Sequence, residues 1–119
     1  DIIIDSCRFH KNNIGISIEQ SNDTTLNANL IYDNTTGIRV SESNNIALRN
    51  SYIYRNSDYG YRILNQGQTS INNSVHSNSF YDNGTIFDET TQHAAINMGN
   101  NDKNSVRFNL MVNNIKDYF

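Results

Sequence analysis

The chain has 119 residues, a formal net charge of −3 and neither proline nor tryptophan, while asparagine fills 22 positions. So weak a negative charge offers no basic field for a backbone-driven nucleic-acid binder, and no apolar run approaches the roughly 20 residues that cross a bilayer as a helix. Such polarity would suit a disordered chain, but Ile, Val, Tyr and Phe recur at fixed alternating positions, which predicts a folded, all-β protein.

Taken in order, the chain repeats itself. The opening Asp1-Ile2-Ile3-Ile4-Asp5 lacks the basic flank of a signal peptide, so any targeting segment is expected outside these residues. Ile4, Cys7-Arg8-Phe9-His10-Lys11-Asn12 and Gly15-Ile16-Ser17-Ile18 make the first unit. A shift of 22 residues carries them onto Leu26, Asn29-Leu30-Ile31-Tyr32-Asp33-Asn34 and Gly37-Ile38-Arg39-Val40. The third unit has Leu48, Ile53-Tyr54, Asn56 and Gly60-Tyr61-Arg62-Ile63, with one residue inserted before Gly60. Asn65 to Thr69 read as a loop insertion, after which Ser70 to Val75 resume the frame of Ser43 to Leu48. Asn73 to Phe80 then match Asn104 to Met111 at a shift of 31, with the extra residues near Asp88 to Gln92. Five units result, roughly 1–22, 23–44, 45–69, 70–99 and 100–119.

Within a unit the apolar residues alternate, as at Ile16 and Ile18 or Ile38 and Val40, which is the period of a strand with one buried face. Short strands separated by polar corners and repeating at this interval do not suit a hairpin meander. Stacking equivalent strands in parallel satisfies both features, so the sequence predicts a parallel β-helix of about five coils, read as a segment of a longer one. Corner residues then stack on their own copies. One asparagine column is predicted at Asn12, Asn34, Asn56, Asn83 and Asn113 or Asn114, with amides donating and accepting along the axis. A second holds Cys7, Asn29, Asn50 with a one-residue slip, Asn78 and Asn109. Cys7 reads there as a small buried filler; as the single cysteine it forms no internal disulfide. The glycines are expected to supply positive φ at a corner.

The pattern of Asn29 to Asn34 followed by Gly37-Ile38-Arg39-Val40 resembles the right-handed parallel β-helix repeat of the carbohydrate-binding and sugar-hydrolase group, which includes NosD-like proteins. The resemblance covers almost all of residues 1 to 119 and implies right-handed coiling, which parallel crossovers also prefer. The same repeat serves pectate lyases, polygalacturonases, alginate epimerases, archaeal surface proteins and phage tailspikes, so it implies a secreted or cell-surface setting and a polysaccharide partner without fixing an activity. A lyase or a glycoside hydrolase is compatible with it; no catalytic residue is assigned.

Candidate binding residues lie at outward positions. Arg39 should sit directly beneath Arg62, either neutralised by Glu19 below and Glu42 or Asp58 alongside, or forming a cationic strip for the carboxylates or sulfates of an acidic polysaccharide. His10, Tyr32, Tyr54 and Tyr81 should form an aromatic column that packs on itself or docks sugar rings. Lys11, Asp33, Arg55 and Asp82 alternate in sign, as a structural salt ladder should. His76 shares a column with Asp5, Asn27, Arg49 and Arg107, and His93 falls in an expanded corner. Neither has metal-ligand spacing, so no metal or cofactor is expected. Asp88 and Glu89 could supply one of the two carboxyl groups a glycosidase needs. Four glycosylation sequons occur, at Asn22, Asn34, Asn72 and Asn83, and those at Asn34 and Asn83 fall in the internal ladder. Uncapped end coils would invite self-association, and the competing reading is a structural stalk, adhesin or oligomerisation segment joined to the rest of a parent chain.

Overall fold

A computed structural model describes residues 1–64, 69–84, 93–99 and 103–114. The first coil holds β1 (Ile2–Asp5), β2 (Arg8–His10) and β3 (Ile14–Glu19), and the second β4 (Asn22–Asn27), β5 (Leu30–Tyr32) and β6 (Thr36–Ser41). The third holds β7 (Asn44–Arg49), β8 (Tyr52–Tyr54) and β9 (Tyr59–Leu64), and the fourth β10 (Ser74–His76), β11 (Ser79–Tyr81) and β12 (Ala94–Asn97). β13 (Ser105–Arg107) and β14 (Leu110–Val112) begin the fifth. Every pairing is parallel and joins a strand to its counterpart one coil away, giving sheet A (β1-β4-β7-β10-β13), sheet B (β2-β5-β8-β11-β14) and sheet C (β3-β6-β9-β12). This is the parallel β-helix that the repeat predicts. Asp88 and Glu89, and most of the insertion at Asn65 to Thr69, lie outside the described residues.

Alternation places one side of every strand in a common interior. Leu26, Leu48 and Val75 stack under sheet A, Ile31, Ile53 and Phe80 under sheet B, and Ile38, Tyr61 and Ile96 under sheet C, all fully buried. Burying an aliphatic side chain of this size contributes about 2 kcal/mol. Tyr61 is the exception in chemistry: its Oη is buried with no hydrogen-bond partner among the described residues, and burial pushes the phenol's pKa up. Replacing Tyr61 by Phe removes that unsatisfied group, so Tyr61→Phe is expected to raise stability by about 1 kcal/mol in urea unfolding.

The asparagine columns satisfy the corners. Asn34 N–H donates to Asn56 Oδ1 at 3.1 Å, Asn34 Nδ2 donates to the same oxygen at 3.1 Å, and Nδ2 also reaches Phe9 O in the preceding coil at 3.1 Å. The same bonds recur from Asn56 to Asn83 and from Asn83 to Asn114, which selects Asn114 over Asn113 as the last member. In the second column Ser51, not Asn50, takes the third place: Asn29 N–H donates to Ser51 Oγ at 3.1 Å and Ser51 N–H to Asn78 Oδ1 at 3.0 Å. The slip expected at Asn50 does not occur, because β5 and β8 keep the register Leu30 to Tyr52 and a serine oxygen suffices as acceptor. Cys7 occupies its expected place, with its N–H on Asn29 Oδ1 at 3.0 Å, but is exposed rather than a buried filler, its Sγ turned to Asp5 O at 3.2 Å. A serine column, Ser21, Ser43 and Ser70, serves the remaining corner.

Positive φ belongs to other residues than the repeat glycines. The residue just before each member of the two asparagine columns is left-handed, as at Ala28 (φ 52°), Asp33 (φ 55°) and Arg55 (φ 50°), whose N–H groups bond carbonyls of the next coil. Gly15, Gly37 and Gly60 lie inside β3, β6 and β9 with ordinary φ. Their requirement is space: a Cβ at Gly37 would fall 2.5 Å from Gly60 O and 3.0 Å from Asn56 Nδ2.

Candidate functional site

The outward side chains of sheet C start from the strand register. Ser17, Arg39, Arg62 and Asn97 form one column, so Arg39 does lie beneath Arg62. Their surroundings differ. Arg39 donates to Glu19 Oε1 and to Ser17 Oγ, the latter at 3.2 Å, and its buried Nε has no partner among the described residues. Glu19 also accepts from Ser17 Oγ at 3.0 Å, and these bonds, with the Arg39 charge, hold its carboxyl below the usual carboxylate range. Arg62 instead stacks over the buried Tyr59 ring, 4.4 Å from its centroid, and among the described residues its donors meet no acid. Cation–π stacking fixes the guanidinium plane while leaving its edge free.

Among the described residues Asp58 forms no ion pair with Arg62. Its Oδ1 lies 3.5 Å from His93 Nδ1, a buried nitrogen with no hydrogen bond among the described residues, and the His93 ring tilts against Tyr59 at 5.6 Å. Sequence reading missed this pair because the two residues are 35 apart, an interval outside the repeat; the register of Tyr59 with Ala94 brings them together. Next to Arg39, Glu19, Gln20, Ser41, Glu42 and Leu64 line an open cleft of about 340 Å³. Glu42 accepts from Gln20 Nε2 at 3.2 Å, so it braces the cleft wall rather than neutralising Arg62. The cleft thus presents two carboxylates and one already paired guanidinium, a donor and acceptor set suited to sugar hydroxyls.

On sheet B, His10, Tyr32, Tyr54 and Tyr81 stack with centroids 4.9, 4.9 and 4.6 Å apart and planes within 5° of parallel. Each interior ring face is therefore occupied by its neighbour, and a ligand on this face meets ring edges and phenol hydroxyls. Arg55 lies over Tyr54 at 4.8 Å and grips Asp33 with two bonds of 2.7 and 2.9 Å. That fork holds the Asp33 carboxyl below its ordinary range and forms one rung of the alternating salt ladder. Burial, with the neighbouring Tyr54 phenol, pushes the Tyr81 phenol up.

Among the described residues no group of three His, Cys, Asp or Glu side chains is placed to hold a metal ion, and no helix is long and apolar enough to cross a membrane. Asn34 and Asn83, two of the sequon asparagines, are buried in the ladder.

Three parallel sheets, stacked corner amides and a single axial core define a parallel β-helix solenoid. The chain belongs to the right-handed β-helix family, whose model, described as a right handed beta helix region, matches residues 1–117. The comparisons with curated proteins and with solved structures returned no match.

Proposed function

We propose that this β-helix is a carbohydrate-recognition module of a secreted or cell-surface protein, with its principal subsite on the outer face of sheet C. The observation that carries this reading is the polar cleft of about 340 Å³, a volume at the low end for a small-ligand site. Glu19, Gln20, Ser41 and Glu42 offer hydrogen bonds to sugar hydroxyls, and Arg39 is held in position by Glu19. Arg62, which meets no acid among the described residues, contributes a guanidinium able to take a sugar carboxylate. Tyr32, Tyr54 and Tyr81 add a row of hydroxyls on sheet B, their stacking being chiefly structural.

The test is a panel of short neutral and uronate-containing oligosaccharides titrated calorimetrically into the wild type and Arg39→Ala/Arg62→Ala. Binding of at least one, lost by about tenfold or more in the variant, supports the subsite; about 1.4 kcal/mol of lost contact suffices. Release of reducing ends or unsaturated uronate from the parent polymers would add catalysis. No binding to any of them favours the second reading, a structural stalk or oligomerisation segment. That alternative draws on large apolar side chains exposed at outward positions, Ile3 at 72% exposure and Phe108 at 85%.

A further inference from the structure

The outer face of sheet A carries a column of basic side chains that the sheet C cleft does not use. Arg49, His76 and Arg107 are in register on β7, β10 and β13, one strand spacing of about 4.8 Å per step. Both arginines are exposed, and among the described residues neither has an ion-pair partner. The acid of this column, Asp5, lies on β1, two strands from Arg49; hydrogen bonds from Asn27 and Ser6, and to a smaller extent the Arg49 charge, hold its carboxyl below the usual range, but the two side chains form no ion pair. Arg39 and Arg55, by contrast, are each committed to a carboxylate. Two residues back along the strands, Ser74 and Ser105 are partly exposed, and their hydroxyls bond nothing among the described residues.

Like charges stacked on neighbouring or next-neighbouring strands repel, and an anion bound across them removes that repulsion. Two guanidiniums in file along the helix axis, with the His76 imidazole between them, suit one extended chain bearing repeated negative groups. The adjoining outward positions are Ala47, Ser74 and Ser105, with no aromatic platform for stacked bases.

We propose that this face binds a linear anionic polysaccharide lying along the helix axis. Its carboxylate or sulfate groups sit on Arg49 and Arg107 and bridge across His76, and its ring hydroxyls meet Ser74 and Ser105. The inference rests on the carbohydrate reading for the class of polymer, and on separate residues for the site.

The full chain is titrated with polygalacturonate, dextran sulfate and unmodified dextran at low and at moderate salt. The expected result is salt-sensitive binding of at least one polyanion, the better of the two identifying carboxylate or sulfate as the group read. Arg49→Gln/Arg107→Gln should weaken it by about tenfold or more while leaving the melting temperature and the short oligosaccharides taken by sheet C unchanged. The inference is overturned if neither polyanion binds, if this variant binds like the wild type, or if a single-stranded oligonucleotide binds the same residues more tightly. Retained oligosaccharide binding with no polyanion binding would leave the sheet C subsite standing alone; loss of both would remove both.

Discussion

Asn56→Ala is expected to destabilise the protein by about 3 kcal/mol, more than most single substitutions. Asn56 is fully buried; its Oδ1 accepts from both Asn34 N–H and Asn34 Nδ2, and its Nδ2 donates to Ile31 O at 3.2 Å and Asn83 Oδ1 at 3.0 Å. Alanine leaves the Asn34 N–H buried without that acceptor and opens a small void between two coils. Asn56→Ser should recover roughly half of the loss, because Ser51 shows that a hydroxyl at such a corner accepts the backbone N–H of the preceding coil at 3.1 Å. Urea unfolding of the three proteins checks both values. Equal stability of the alanine and wild-type chains would mean that the columns decorate the corners without holding them.

The second large effect is expected at Gly37. An added methyl group there overlaps Gly60 O, a carbonyl fixed between β6 and β9, and only a local separation of the two strands can accommodate it. Gly37→Ala should therefore cost about 3 kcal/mol, through overpacking rather than through φ. Gly84→Ala serves as the contrast. Gly84 has φ +70°, and a Cβ there would meet no atom closer than 3.4 Å, so the expected cost is the left-handed penalty of about 1 kcal/mol. Thermal unfolding of both variants tests the ranking; a reversed order would return the regular spacing of Gly15, Gly37 and Gly60 to a conformational cause.

Much of this architecture was legible in the residues. Inward alternation at Ile16, Ile38 and Tyr61, and the recurrence of asparagine at 12, 34, 56 and 83, encode register directly, since a stacked side chain must suit its own copy. The role of the glycines was not legible, because close approach of a carbonyl from the next coil leaves no mark in the sequence that differs from a turn glycine. The left-handed corner residues were hidden for a related reason. Ala28 and Arg55 adopt that conformation because their N–H groups gain partners one coil away, and that tertiary gain outweighs local preference. Serine replacing asparagine at Ser51 kept the chemistry of the column and changed its spelling.

The candidate site was legible in part. Periodicity placed Arg39 under Arg62 and the tyrosines in one column, but it carried no information on where the side chains turn. Glu19 captures Arg39, Tyr59 captures Arg62, and His93 captures Asp58, so one predicted ion network divides into three separate contacts. Likewise, the 4.9 Å ring spacing that makes the tyrosine column regular is what closes its faces to a ligand.

Nuclear Overhauser contacts in solution test the coil-on-coil registry most directly. Stacked coils predict cross-peaks from the Asn34 side-chain amide to Asn56, and between the ring protons of Tyr32 and Tyr54, with the Asn34 and Asn56 side-chain amides protected from rapid exchange. Absence of those cross-peaks together with fast exchange of both amides would contradict that registry.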